Sequence, residues 1–102
     1  MRLTATQKNI IRATIESLLP DQEVEIGVFG SRLNAAARGG DVDLVIRTEA
    51  SVPLQLKARI RLRLESLLGL PVDIVFVTSG QAATAFQAMA SAKAKPLDGA
   101  TG

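Results

Sequence analysis

The sequence predicts a small α/β (α+β) domain in which helices flank a small mixed sheet, with the element order α-β-β-α-β-α. Short runs rich in Val and Ile, bounded by loop residues, predict the strands. Longer segments with apolar residues at helical spacing predict the helices. A chain of 102 residues with a hydrophobic fraction of 47% suffices for one domain with one core. We expect that domain to span residues 1–95 and a flexible tail to span residues 96–102.

The first helix is predicted over residues 4–20. Thr4 and Gln7 have the spacing of a capping box, in which each side chain hydrogen-bonds the backbone of the other residue. Pro20 ends the helix because its ring cannot continue the hydrogen-bonded turn. The apolar stripe at helical spacing consists of Ile11, Ile15 and Leu18.

Two strands follow, Val24 to Phe29 and Asp41 to Arg47, with a loop over residues 31–40 between them. Because this connection is short, the two strands should be antiparallel. Side chains alternate between the faces of a strand. One face of the second strand carries Val42, Leu44 and Ile46, and the other carries Asp41, Asp43 and Val45. The two acids therefore share a face.

The second helix is predicted within residues 51–69. Ser51 is a candidate cap, Pro53 suits the first turn, and Gly69 suits the position after the helix end. The side chains expected to face the core are Leu56, Ile60, Leu64 and Leu67.

The third strand is predicted from Pro71 to Val77, and its β-branched residues indicate burial on both faces. A helical crossover separates it from the second strand, so this pair should be parallel and the connection right-handed. The last helix is predicted from about Ala82 to Ala94. Its expected packing side carries Phe86, Met89 and Ala90, and the predicted core aromatics are Phe29, Phe76 and Phe86.

Composition excludes several classes of protein. The chain has no Cys, so a disulfide framework and a zinc-thiolate site are excluded. It has no His, which removes the commonest general base and the Ser-His and Cys-His pairs. A net charge of +2 and the lack of Trp and Tyr give no indication of nucleic-acid binding. No apolar run reaches the ~20 residues that span a bilayer, and the start lacks an apolar signal segment. We expect a cytoplasmic protein.

The unusual feature is a set of acids inside strands, where Asp is normally depleted. With the predicted topology Asp41, Asp43 and Asp73 arrive at one edge of the sheet, beside Gly30 and Ser31. Carboxylates ~5 Å apart repel by roughly 3 kcal/mol per pair at an effective dielectric of ~20. Oxygen ligands without His or Cys suit Mg²⁺ or Mn²⁺, and Gly-Ser lets the backbone approach a phosphate. The pattern predicts a phosphate cradle beside a metal-binding acid cluster.

This combination resembles the nucleotidyltransferase superfamily typified by DNA polymerase β, and the small size is similar to its minimal members. The resemblance runs from about Ile10 to Thr78 and rests on FGSR followed by GDVDLVI and a later strand-borne Asp. It implies a nucleotidyltransferase fold with two bound Mg²⁺ ions, with Mn²⁺ as the alternative ion. The implied catalytic and metal-binding residues are Asp41, Asp43 and Asp73, and the implied nucleotide-binding residues are Gly30, Ser31 and Arg32. Asp73 would also help to deprotonate the acceptor hydroxyl.

In such relatives a nucleoside triphosphate loses pyrophosphate as its nucleotidyl group passes to an acceptor. Minimal members are often encoded beside a small helical protein of the HEPN type, and some act as antitoxins that adenylylate it. The resemblance thus implies ATP as donor and a HEPN-type protein as partner. Two alternatives stay open from the sequence. One is a catalytically weak or inactive nucleotide-binding module that neutralises a partner by binding, and the other is a homo-oligomer assembled through the last helix.

The sequence also departs from the family pattern at two places near the motif. Many relatives have a Gly a few residues after Gly-Ser, where this chain has LNAAA, and many have Ser before the first Asp, where it has Gly40. Neither change alters an implied metal ligand.

Overall fold

The computed structural model describes residues 3–29 and 42–97, which form helices on both faces of a four-stranded mixed sheet. The elements, in chain order, are α1 (Ala5–Leu18), β1 (Val24–Val28), β2 (Val42–Thr48), α2 (Leu54–Leu68), β3 (Val72–Thr78), α3 (Ala85–Lys93) and β4 (Lys95–Pro96). The predicted order of helices and strands is confirmed, with β4 as an unpredicted addition.

The sheet order is β3-β2-β1-β4. Strands β1 and β2 are antiparallel and strands β2 and β3 are parallel, as the connection lengths predict. The added strand β4 pairs antiparallel with β1. Strand β3 therefore lies at one edge of the sheet, and the start of β2 lies beside the start of β3.

The larger core lies between one face of the sheet and the helices α1 and α2. In α1, Ile11 and Ile15 are fully buried, and the Thr4–Gln7 capping box forms as predicted. The other fully buried members of this core are Val42, Leu44 and Ile46 of β2, Ile60 and Leu64 of α2, and Val72 of β3. The predicted alternation along β2 is confirmed, because Val45 packs in a separate cluster on the opposite face.

Helix α3 covers part of the opposite face. Ala90 is fully buried there against Phe29 and Val45. A second capping box, formed by Thr84 and Gln87, starts the helix, so α3 begins at Ala85 and not near residue 82. That signal is present in the sequence as TAFQ.

Two of the three expectations for α2 need correction. The N-cap of α2 is Pro53 and not Ser51, whose hydroxyl accepts a hydrogen bond from Gln81 Nε2. Leu67 is 48% exposed, because the buried stripe continues from Leu64 to the half-buried Leu68. Gly69 does follow the helix end, in the left-handed conformation with φ of 70°.

The predicted burial of β3 on both faces is wrong. Only Val72 is fully buried, and the residues from Ile74 onward are half-buried. Strand β3 lies at the sheet edge, and within residues 3–29 and 42–97 no further strand pairs with its outer side. Phe76 accordingly remains half-buried, and Lys57 Nζ lies 5.3 Å from the centroid of its ring.

The expected tail is also corrected at its start. Pro96 pairs with Gly27 in the sheet, and Leu97 is buried in the larger core, where its N–H donates to the Ile26 carbonyl. The folded unit therefore extends to Leu97, two residues beyond the predicted boundary. Residues 98–102 lie outside the described part of the chain.

Gly27 permits the close approach of the segment that carries β4. A Cβ added at Gly27 would lie 2.9 Å from Ala94 Cβ and 3.3 Å from the Lys95 carbonyl oxygen. The variant Gly27→Ala should lower the free energy of unfolding by about 1–3 kcal/mol, the typical cost of overpacking. Denaturant titration measures this.

The matched test is the double variant Gly27→Ala with Ala94→Gly, which removes the nearer clashing atom. We expect it to recover part of the lost stability. If the double variant is as unstable as the sum of the two single variants, the clash with Ala94 is not the cause.

Candidate functional site

The centre of the candidate site is a pair of acids on neighbouring strands. Asp43 of β2 and Asp73 of β3 are direct partners in the parallel register. Parallel strands lie ~4.8 Å apart and partner side chains leave the same face. Val45 and Val75, two residues further along the same strands, pack on the α3 side of the sheet. Both acids therefore lie on the α3 face, near the starts of β2 and β3.

A third residue extends this row across the sheet. The Phe29 N–H donates to the Asp43 carbonyl oxygen at 3.1 Å, one position beyond the last paired residues, Val28 and Leu44. Phe29 thus lies opposite Asp43, and its ring packs on the α3 face with Val45. The three residues form a row in the order Phe29, Asp43, Asp73, which we call the acid row.

Several predicted site residues lie outside the described residues, namely Gly30, Ser31, Arg32 and Asp41. Gly30 follows Phe29 in the sequence, and Asp41 precedes Val42. Within residues 3–29 and 42–97 no group of three acids is arranged to hold a metal ion. The structure thus brings Asp43 and Asp73 together as predicted, and the roles of all six residues stay predictions.

The acid row concentrates negative charge at one place. Asp43 is half-buried and Asp73 is exposed. Two carboxylates ~5 Å apart repel by roughly 3 kcal/mol at an effective dielectric of ~20. Neighbouring carboxylates with only oxygen donors are the ligands that a hard cation such as Mg²⁺ prefers. The acid pair therefore fits a divalent metal.

The position of Asp73 depends on how β3 begins. Glu65, near the end of α2, accepts the Val72 N–H at 2.9 Å through Oε2, and its Oε1 accepts from Arg61 at 3.1 Å. The turn at Gly69 reverses the chain between the two elements. Glu65 thus fixes the residue directly before Asp73.

The variant Glu65→Ala should lower the free energy of unfolding by about 1–2 kcal/mol, because the Val72 N–H loses its acceptor. Glu65→Gln should lose less, since an amide oxygen also accepts. Urea titration distinguishes the three proteins. Glu49→Ala is the matched control, because Glu49 is exposed, and it should change stability by less than about 0.5 kcal/mol. A midpoint for Glu65→Ala equal to the wild-type value would contradict the assignment.

A separate groove of about 420 Å³ lies between β1, β4, α1 and α3, away from the acid row. Its charged lining residues are Arg12, Glu16, Glu25, Arg47 and Lys95. Arg47 pairs with Glu25 at 3.8 Å and donates to the Ser91 hydroxyl. The lining therefore carries charged side chains of both signs.

The profile of the nucleotidyltransferase domain family matches residues 8–95. The chain belongs to the nucleotidyltransferase family. It is also 31% identical to a solved structure provisionally assigned as a minimal nucleotidyltransferase, with 94% of this chain and 96% of that chain covered and a TM-score of 0.65. No curated protein gives a significant match to the sequence.

Two more distant structures share the nucleotidyltransferase fold. A toxin–antitoxin structure with AMP-PNP has 23% identity, coverage of 88% of this chain and 71% of that chain, and a TM-score of 0.73. A complex of tri-AMPylated Shewanella oneidensis HEPN toxin with MNT antitoxin has 21% identity, coverage of 90% and 69%, and a TM-score of 0.68. The predicted family and fold are thus confirmed.

The burial of one aromatic residue near the acid row differs from the prediction. Phe86 of α3 was expected in the core, but its side chain is 55% exposed. Its ring contacts Phe29, with the centroids 6.3 Å apart and an interplanar angle of 72°.

In the part of the chain that the structure describes, no helix is long and apolar enough to cross a membrane.

Proposed function

We propose that this chain is a metal-dependent nucleotidyltransferase of the cytoplasm that transfers AMP from ATP to a hydroxyl group on a HEPN-type partner protein. The observation that carries the proposal is the register of β2 and β3, which pairs Asp43 with Asp73 on one face. Membership of the nucleotidyltransferase family supports the reaction class. The likeness to toxin–antitoxin structures, one with AMP-PNP and one with an AMPylated HEPN toxin, supports ATP and the partner.

The proposal assigns roles to six residues. The carboxylates of Asp41, Asp43 and Asp73 would hold two Mg²⁺ ions, with Mn²⁺ as a substitute, and Gly30, Ser31 and Arg32 would bind the nucleotide phosphates. Bound divalent ions stabilise the charge that develops on the transferring phosphoryl group. Asp73 accepts the proton of the acceptor hydroxyl. The hydroxyl oxygen then forms a bond to the α-phosphorus, and the bond from that phosphorus to the pyrophosphate oxygen breaks.

The direct test uses the purified chain, its candidate HEPN-type partner, Mg²⁺ and ATP labelled at the α-phosphate. We expect the label to appear on the partner and to be lost when EDTA replaces Mg²⁺. ATP labelled at the γ-phosphate should leave the partner unlabelled, because that phosphate departs with pyrophosphate. A folded pair that acquires no label from either nucleotide would contradict the proposal.

A second arm tests whether catalysis or binding neutralises the partner. The double variant Asp41→Asn with Asp43→Asn should still bind the partner but fail to label it and fail to neutralise it. Neutralisation at the wild-type level by this variant would mean that binding alone suffices.

A further inference from the structure

The exposed side of α3 that faces the acid row carries two large apolar side chains. Phe86 is 55% exposed and Met89 is 40% exposed. They are three residues apart and so are neighbours on the helix surface. Together they form a small exposed apolar patch, and such patches are a common feature of surfaces that bind a ligand or a partner.

Contacts on both sides of α3 fix which way these side chains lie. Ala90 is fully buried against the sheet and sets the underside of the helix. Gln87 Nε2 donates to the Phe76 carbonyl oxygen at 2.9 Å, and Ser91 accepts from Arg47. Those two residues occupy the side of α3 towards the later residues of β2 and β3. Phe86 and Met89 therefore occupy the opposite side, towards the starts of these strands.

Phe29 links Phe86 to the acids. The Phe86 and Phe29 rings meet edge to face, and Phe29 lies opposite Asp43 across the β1–β2 ladder. Asp43 in turn lies beside Asp73. Only Phe29 thus lies between the exposed Phe86 ring and the two acids, and all of these residues are on the same face of the sheet.

We propose that Phe86, with Met89 beside it, is the stacking wall for the nucleobase of the nucleoside triphosphate. This inference rests on the proposed function, since it places the base next to the acids that handle the phosphates. A flat aromatic ring stacks on any base, and stacking contributes about 1–3 kcal/mol per base. The polarisable Met thioether adds a favourable contact with an aromatic edge. The buried Phe29 holds the Phe86 ring in place from behind.

The test distinguishes the contribution of the base to binding from the contribution of the phosphates. Isothermal titration calorimetry in Mg²⁺ measures the affinity of each protein for ATP and for inorganic tripolyphosphate, which has no base. Phe86→Ala should weaken ATP binding by about 5- to 150-fold and leave tripolyphosphate binding unchanged. Phe86→Tyr should keep ATP binding near the wild-type level because the aromatic face remains. Phe86→Leu keeps apolar bulk without an aromatic ring and should show an intermediate loss.

Leu62→Ala is the matched control. Leu62 is also 55% exposed but lies on α2, which packs on the other face of the sheet. The Leu62→Ala variant should bind ATP and tripolyphosphate as the wild type does.

Three results would overturn the inference. Equal weakening of ATP and tripolyphosphate by Phe86→Ala would mean that the ring supports the site as a whole. Unchanged ATP binding with lost binding of the partner protein would make this surface a protein contact. Failure of the wild-type chain itself to bind ATP would remove the proposed function as well, and that result is distinct from the other two.

Discussion

Replacing Asp43 or Asp73 with Asn should lower the rate of nucleotidyl transfer by at least about a hundred-fold. Each change removes one charge from a pair of carboxylates on adjacent strands. Stabilisation of the transferring phosphoryl group by divalent ions is worth several kcal/mol, and each ~1.4 kcal/mol is a factor of ten in rate. The assay follows transfer of label from ATP labelled at the α-phosphate to the partner under single-turnover conditions.

Asp21→Asn is the matched control, because Asp21 is exposed in the turn between α1 and β1. It carries the same chemical change and should transfer label at the wild-type rate. Thermal unfolding supplies a second measurement, since Mg²⁺ should raise the midpoint of the wild type and of Asp21→Asn but not of Asp43→Asn. Near-normal transfer by both Asp43→Asn and Asp73→Asn would show that this pair does not hold the metal.

Leu44→Ala should lower the free energy of unfolding by about 2–5 kcal/mol. Leu44 is fully buried in the larger core and directly follows Asp43 in β2. The loss combines the transfer of the missing methine and methyl groups with the cavity that they leave. A domain of this size has only ~5–15 kcal/mol of stability, so the change is a large fraction of the total. Urea denaturation followed by circular dichroism measures it.

Leu62→Ala makes the same substitution at an exposed site of α2 and should cost less than about 0.5 kcal/mol. If the two variants unfold at the same urea concentration, the burial assigned to β2 is wrong. A lower activity of Leu44→Ala that recovers on cooling or with added ATP would identify instability as its cause.

The elements that position the acids could be predicted because their signals are local. The alternation of Val42, Leu44 and Ile46 with Asp43 and Val45 fixes the faces of β2 without knowledge of the rest of the chain. The helical crossover then requires β3 to run parallel to β2. Together these two rules bring Asp73 to the same edge of the sheet as Asp43, and the structure adds the register that makes the two residues direct partners.

The features that were missed depend on contacts between distant parts of the chain. Strand β4 has only two residues, Lys95 and Pro96, which is too short for any periodic signal. Its pairing depends on the space above Gly27. Phe86 and Ala90 are four residues apart, which is the spacing of one helix face, so the sequence predicted that both side chains are buried. Only the angle at which α3 crosses the sheet decides that one of the two is covered and the other faces outward.

The hydrogen bonds at the outer side of β3 also bear on solubility. An edge strand invites pairing with other chains through its unused backbone groups. Here the Glu65 carboxylate accepts a hydrogen bond from the Val72 N–H, and the Gln87 amide donates one to the Phe76 carbonyl. These two bonds lie near opposite ends of the strand. An incoming strand must displace both side chains before it can form a continuous ladder. This guarded edge lets a Val- and Ile-rich strand end the sheet without acting as a template for aggregation.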